Sequence, residues 1–108
     1  MKLYRGIRTP EGCVVTVEEG GESRPLDMRN DVRNHSPDGA NWGYGGSGPA
    51  QLSLAILCDA LGDVERAQTL YQRFKFRIIA AIRTDTWTLT HAGVMKSVAH
   101  LESEELPS

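Results

Sequence analysis

The sequence has few of the residues that support metal, disulfide or nucleic-acid chemistry. Two cysteines and three histidines occur in 108 residues, without the close spacing of zinc ligands. Cys13 and Cys58 fall in apolar-patterned segments, which favours buried, reduced thiols. The formal net charge of −2 gives no electrostatic attraction to duplex DNA or to an anionic membrane. We therefore expect no metal, no cofactor and no duplex nucleic acid.

Long apolar runs are also absent. The first eight residues contain no apolar core of a signal peptide, and no segment approaches the length of about 20 residues that crosses a bilayer. Hydrophobic residues make up 40% and charged residues 24% of the chain, which is ordinary globular composition. These features predict a single cytoplasmic domain over residues 1–108 that has no contact with a membrane.

Hydrophobic periodicity and turn residues predict an α+β fold, with a small antiparallel sheet packed on two or three helices. The sheet consists of an N-terminal hairpin, an edge segment and a late strand. Pro25 confines the third segment to an edge because proline cannot donate a ladder hydrogen bond. The predicted strands cover residues 2–8, 13–18, 24–26 and 84–89.

Capping residues and stripes of apolar side chains predict the helices. The first runs from Pro49 to Gly62, the second from an Asp63 cap to about Ile82, and the third from a Thr90 cap to about Leu101. A turn-rich connector occupies residues 27–41, and residues 102–108 form a solvated acidic tail.

A glycine-rich loop precedes the first helix. Residues 43–48, Gly-Tyr-Gly-Gly-Ser-Gly, match the dinucleotide pattern G-x-G-x-x-G. A Rossmann site is excluded because a second helix, and no parallel strand, follows the first. A P-loop is excluded because no Lys-Ser/Thr pair follows, and Pro49 lacks an amide. The loop either binds an anion through backbone amides and the helix dipole, or only permits a tight turn.

The residues around the loop favour a ligand site. Aromatic rings, guanidinium groups and backbone amides together are typical of a nucleotide-type pocket. The other interpretation is that the aromatic rings belong to the core and that the arginines pair with Asp27, Asp31 and Asp38. The candidate ligand-binding residues are Trp42, Tyr44, Gly45, Gly46, Ser47, Gly48, Arg33, His35, Arg5 and Arg8.

Catalysis has less support in the sequence. Ser47, His35 and an aspartate such as Asp31 or Asp38 supply the residue types of a hydrolase triad. Gly46 directly precedes Ser47, however, which departs from the G-x-S-x-G elbow. No pair of carboxylates has a spacing that indicates acid–base work. We expect no enzymatic activity and no catalytic residue.

Several segments resemble an uncharacterised family of small bacterial and phage proteins. They are Tyr4-Arg5-Gly6, Arg24-Pro25-Leu26-Asp27, Arg33-Asn34-His35-Ser36-Pro37, the stretch Trp42-Gly-Tyr-Gly-Gly-Ser-Gly-Pro-Ala-Gln-Leu52, and Trp87-Thr-Leu-Thr90. The resemblance covers most of the chain, and the loop is its most specific part. It implies a compact domain carried on mobile elements, and it implies neither an activity nor functional residues.

Two functional hypotheses follow. The leading one is a non-enzymatic, phage-related protein that binds or sequesters an anionic nucleotide-type ligand at the glycine loop. The alternative is a protein-interaction module that inhibits a host defence protein, in which the loop is purely structural. It would act through the acidic tail or through Arg66, Arg73 and Arg77, which share one face of the second helix. A homodimer is compatible with a site that two copies share.

Overall fold

A computed structural model of the chain describes residues 1–105, with only the backbone of Glu105. It confirms the predicted α+β fold: an antiparallel sheet is built from the N-terminal hairpin and a late strand, together with three helices. The elements are β1 (Lys2–Thr9), β2 (Gly12–Glu19), β3 (Glu22–Pro25), α1 (Ser47–Leu61), α2 (Val64–Phe74), a π-helical segment (Lys75–Ile79), β4 (Thr86–Thr90) and α3 (His91–Glu105).

The four strands lie in the order β3-β2-β1-β4, and every neighbouring pair is antiparallel. Side chains alternate between the two faces of the sheet. Tyr4 and Val17 are fully buried on the face that meets the helices. Ile7 and Val14, which are partners across β1 and β2, are 40% and 54% exposed on the opposite face. The described helices therefore cover one face of the sheet.

Two indole rings form the centre of the core. The register places Gly6 opposite Trp87, and a Cβ atom at Gly6 would lie 2.2 Å from Cε2 of that indole. Trp42 packs edge-on against Trp87, with ring centroids 5.5 Å apart and planes at 89°. Gly6 is thus required because the Trp87 ring fills the space of its side chain.

A polar side chain in the buried helix α1 fixes the connector. Gln51 is fully buried. Its Oε1 accepts hydrogen bonds from the amides of His35, at 2.7 Å, and Ser36, at 3.1 Å, and its Nε2 donates to the Met28 carbonyl at 2.6 Å. All of its polar atoms are therefore satisfied by backbone of residues 27–41, which explains how a long segment without regular structure is held.

The helix termini confirm most of the capping signals. Gly62 ends α1 in the left-handed region, with φ 63 and ψ 23. The Asp63 carboxylate accepts from the Arg66 amide, and the Thr90 hydroxyl accepts from the Gly93 amide. The predicted start at Pro49 is wrong: α1 begins at Ser47, with Gly46 at the N-cap and no side-chain cap.

The prediction of one continuous helix to Ile82 is also wrong. The α-helix ends at Phe74 and widens into the π-helical segment, where the Ala80 amide donates to the Lys75 carbonyl at 2.8 Å. The extra residue in this turn rotates the following side chains. As a result Ile79 is buried, whereas Ile78 is only half-buried.

The strand bounds differ slightly from the predictions. The third strand covers Glu22–Pro25 instead of residues 24–26, and it is the edge strand that Pro25 requires. The late strand covers Thr86–Thr90 instead of residues 84–89. None of the helices within residues 1–105 has the length and apolarity needed to cross a membrane.

Arg66, Arg73 and Arg77 on one face of α2, the arginine stripe, contact the end of α3 and the first residues of the predicted acidic tail. Helix α3 continues to Glu105, and residues 106–108 of the predicted tail lie outside the described part of the chain. Arg66 donates to both carboxylate oxygens of Glu102, and Arg77 donates to both carboxylate oxygens of Glu104. Arg73 donates to the Leu101 carbonyl at 3.1 Å. Charge pairing thus docks the end of α3 on α2.

Candidate functional site

A cleft of about 300 Å³ opens at the N-terminal end of α1. Its walls come from the turn between β1 and β2, the end of the connector and the glycine loop. Polar side chains dominate the lining, which includes Cys13, Ser36, Asp38, Asn41, Tyr44 and Ser47. Of the ten candidate ligand-binding residues, Tyr44, Ser47 and Gly48 line this cleft, together with residues from the two other segments.

The backbone of the glycine loop carries the chemistry of this region. Within residues 1–105, the five consecutive amides from Tyr44 to Gly48 donate to no acceptor. Pro49 has no amide, and the first bonded amide is that of Ala50, which donates to the Gly46 carbonyl at 3.1 Å. These amides stand at the positive end of the α1 dipole, an arrangement that suits an anion.

Close packing explains the glycines of the loop. Gly43 has φ +87, and a Cβ there would lie 2.9 Å from the Ile82 carbonyl oxygen. A Cβ at Gly46 would lie 2.5 Å from the Tyr44 ring, and one at Gly48 would lie 2.7 Å from Asn41 Cβ. The glycines therefore have a steric role whether or not the loop binds a ligand.

Trp42 and Arg8 form the base of the loop. Trp42 is 1% exposed, so it belongs to the core, and its Nε1 donates to the Thr84 carbonyl at 2.9 Å. The Arg8 guanidinium lies 4.7 Å from the Trp42 ring centroid and donates to Asn41 Oδ1 at 2.7 Å and to the Trp42 carbonyl at 3.0 Å. A hydrogen bond to Asp85 raises the pKa of Arg8. Arg8 thus positions the loop through Asn41.

Three other candidate residues make contacts elsewhere. Arg33 donates to Gln68 Oε1 at 3.1 Å, and His35 Nε2 lies 2.6 Å from the Tyr71 hydroxyl, both on α2. Arg5 pairs with Glu18 at 2.9 Å on the uncovered face of the sheet. The structure therefore brings together Tyr44 and Gly45 to Gly48, with Arg8 beneath them. The partners of Arg5, Arg8 and Arg33 are not Asp27, Asp31 and Asp38.

Lys75 is a site residue that the sequence did not indicate. It is only 6% exposed. Its Nζ donates to the Gly45 carbonyl at 3.2 Å and lies 4.1 Å from the Phe76 ring centroid. Among the described residues it has no carboxylate partner. A buried cation without a counter-charge is costly, so its position against the loop is informative.

Two exposed aromatic rings flank the loop. Tyr44 is 47% and Phe76 65% exposed. Each ring lies against a loop glycine: Tyr44 covers Gly46, and Phe76 would touch a Cβ at Gly45 at 3.0 Å. The sequence indicated only Tyr44, because it lies within the glycine-rich motif, whereas the position of Phe76 depends on the π-helical segment.

The residues considered for catalysis and metal binding are not assembled. The side chains of Ser47, His35, Asp31 and Asp38 make no hydrogen bonds to one another in the described chain. No group of three or more His, Cys, Asp or Glu side chains within residues 1–105 is placed to hold a metal ion. The arrangement at the loop suits binding through amides, aromatic rings and the cations Lys75 and Arg83, of which Arg83 donates to the Gly43 carbonyl at 3.0 Å.

Comparison with known proteins identifies a family. A sequence profile matches residues 4–100, which include most of β1, the other three strands, the connector and the glycine loop. The chain belongs to DUF6166, a family of unknown function. No curated protein and no solved structure matches the chain. Family membership thus agrees with the resemblance to an uncharacterised family and assigns no activity to the loop.

Proposed function

We propose that this protein is a non-enzymatic binding protein that holds an anionic, nucleotide-type ligand at the glycine loop. The observation that carries the proposal is the run of amides from Tyr44 to Gly48, which has no acceptor in the described chain, beside the uncompensated Lys75. In this role the protein belongs to the cytoplasm of a phage-infected cell and sequesters its ligand without turnover.

The anionic group of the ligand follows from electrostatics. Hydrogen bonds from backbone amides to an anion are stronger than those between neutral groups. A phosphate on the loop would accept from these amides and provide a counter-charge for Lys75. Asp38, which is exposed and lines the cleft, opposes an anion, so the phosphate lies nearest the loop. Lys75 therefore supplies the positive charge that the sequence assigned to Arg5, Arg33 and His35.

The aromatic part of the ligand follows from the two exposed rings. Stacking of a base on an aromatic side chain contributes about 1–3 kcal/mol and tolerates any base. Tyr44 and Phe76 lie against the loop that carries the amides, so a phosphate and a base of one molecule can reach the amides and a ring together. This combination favours a nucleotide over inorganic phosphate.

Calorimetry and thermal unfolding with nucleoside monophosphates, cyclic nucleotides and the matching nucleosides test the proposal. A bound nucleotide at 100 times its dissociation constant stabilises the fold by about 2.7 kcal/mol, whereas the nucleosides have little effect. Lys75→Met weakens binding at least tenfold, and Asp38→Asn strengthens it. Lys96→Met is the matched control, because Lys96 is exposed on α3 and has no loop contact. Absence of binding by every phosphate compound would overturn the proposal.

Inhibition of a host protein is the second candidate function. The observation in its favour is the exposed apolar pair Ile7 and Val14 on the uncovered face of the sheet. The arginine stripe of α2 serves this role less well, because Glu102 and Glu104 already occupy Arg66 and Arg77. Val14→Glu should abolish capture of a host partner and leave nucleotide binding intact. Lys75→Met should weaken nucleotide binding and leave capture of the host partner intact.

A further inference from the structure

The two edges of the sheet differ in their protection against pairing. The β3 edge is four residues long, carries Glu22 and Arg24, and ends at Pro25. Short length, charge and proline are the features that prevent an edge strand from pairing with another chain. The β4 edge, Thr-Trp-Thr-Leu-Thr, has no charge, no proline and no bulge. Only β4 therefore presents an unprotected edge within the described sheet.

The outward-facing groups of β4 can be assigned from its hydrogen bonds. The Arg8 amide donates to the Asp85 carbonyl at 2.7 Å, so residue 85 faces β1. Backbone groups alternate along a strand, so 87 and 89 also face β1. Thr86, Thr88 and Thr90 then direct their amides and carbonyls away from the sheet. The Thr86 carbonyl already accepts from the Thr84 hydroxyl at 2.6 Å, which agrees with this assignment.

These three positions are symmetric about Thr88, and from this symmetry we propose that two copies of the chain pair through β4. A two-fold axis at Thr88 places Thr88 opposite its counterpart and Thr86 opposite Thr90 of the second copy. Antiparallel pairing in this register matches every outward-facing residue with another. The threonine side chains then form a continuous row on the uncovered face, a favourable cross-strand arrangement.

Charge complementarity supports a second copy as the occupant. The same register places Asp85 opposite His91 of the other copy, which is the first residue of α3. Asp85 pairs with Arg8 of its own chain at 3.1 Å but is still 74% exposed, and α3 has no acidic residue in its first turn. A carboxylate beside a helix N-terminus is stabilising because it meets the positive end of the dipole. Each copy thus supplies the acidic group that the α3 of the other lacks.

An apolar groove beside the edge supports the same conclusion. It measures about 270 Å³ and runs between β4, α3 and the π-helical segment. Its lining includes Phe74, Ile78, Leu89 and Val94, with the small residues Gly93 and Ser97 on α3. Pairing through β4 brings this groove against the same groove of the second copy, so apolar surface is buried together with the strand edge.

Substitutions of Thr88, on the two-fold axis, by residues of opposite charge test this pairing. Analytical ultracentrifugation of the whole chain should show a dimer for the native sequence and monomers for Thr88→Lys and for Thr88→Glu. In each variant two like charges would face each other at the axis. An equimolar mixture of the two variants should form a heterodimer, because Lys and Glu then face each other. The expected change in dissociation constant for each variant alone is at least tenfold.

Ser23→Lys is the matched control, since it adds the same charge to the exposed β3 edge. It should leave the dimer intact. Circular dichroism and thermal unfolding establish that each variant is folded; Thr88 is exposed, so both substitutions should be tolerated. A monomeric native protein would overturn the proposal. A dimer that persists in Thr88→Lys would also overturn it. The same holds if both variants are folded and monomeric but their mixture does not associate.

Discussion

The polar groups at the two ends of α1 differ in whether they have partners within the described chain. At the C-terminal end, the Asp59 carboxylate accepts from the Tyr4 hydroxyl at 2.7 Å and pairs with Lys2 at 3.0 Å and Arg24 at 2.9 Å. At the N-terminal end, five amides lack an acceptor in the described chain, and Lys75 lacks a carboxylate partner. These two sets of groups lie at opposite ends of one helix. The difference indicates that one end maintains the fold and the other is available to a ligand.

We expect the largest loss of folding stability from a substitution of Asp59, at the C-terminal end of α1, which we call the paired end; the N-terminal end is the unpaired end. Asp59→Ala removes the shared acceptor of three donors and leaves the fully buried Tyr4 hydroxyl without a partner. We expect the free energy of unfolding to fall by about 3 kcal/mol, as measured by urea denaturation. Asp38→Ala at the other end is the matched control and should change it by less than about 0.5 kcal/mol. Equal losses in the two variants would contradict the distinction between the ends.

The pH dependence of stability separates the ends in a second way. Burial acts to raise the pKa of Asp59, but hydrogen bonds from Tyr4, Arg24 and Lys2 outweigh it and hold the pKa below its usual value of 3.8. The native state therefore binds fewer protons than the unfolded chain near that pH. The stabilisation from Asp59 is fully present above about pH 5 and is lost as the pH falls through the lower native pKa.

Chemical denaturation from pH 6 to pH 2 should show this loss. Asp59→Asn should lower stability at pH 6 and flatten the acid part of the profile, so that its curve approaches that of the native protein near pH 2. The ion pairs of Glu102 and Glu104, whose pKa values are also lowered by Arg66 and Arg77, are common to both proteins. Parallel curves would show that Asp59 titrates alike in the folded and unfolded states.

Lys75→Met should have a smaller effect of the opposite sign at the unpaired end. Methionine keeps most of the length of the side chain and removes a buried charge that has no carboxylate partner. We expect the ligand-free protein to gain about 1 kcal/mol in free energy of unfolding, measured by thermal and urea unfolding. A gain in stability together with a loss of nucleotide binding is typical of a functional residue. A loss above about 2 kcal/mol would instead make Lys75 part of the structural framework.

Local signals in the sequence identified much of the fold. Gly62, Asp63 and Thr90 mark helix ends through their own backbone or their own side-chain oxygen, so each is recognisable from a few neighbouring residues. The glycine loop was found for the same reason. The end of α2 was missed because the π-helical segment is stabilised by packing around it: Ile79 is fully buried and accepts from the Gly43 amide.

The candidate site depended on information that one sequence does not contain. Alternation along β1 separates Arg5 from Arg8, but it does not show which face meets the loop; only Arg8 contacts Asn41 and Trp42, just before the loop. His35 lies near the loop in sequence, yet Gln51 holds its backbone and Tyr71 holds its ring. Lys75 contacts Gly45, which lies 30 positions earlier in the sequence. Long-range contacts of this kind decide which charges meet the loop.

We expect the smallest effect on stability from two alanine substitutions in the glycine loop, which also test whether Tyr44 or Phe76 stacks on a base. Gly46→Ala places a methyl group 2.5 Å from the Tyr44 ring, and Gly45→Ala places one 3.0 Å from Phe76. Both rings are exposed and can move aside, so each substitution should cost about 0.5 kcal/mol. Their effects on binding should differ. Tyr44 lines the cleft, so Gly46→Ala should reduce the preference for a nucleotide over inorganic phosphate, whereas Gly45→Ala should retain it. Calorimetry with both ligands measures this preference, and a loss confined to Gly45→Ala would assign base stacking to Phe76.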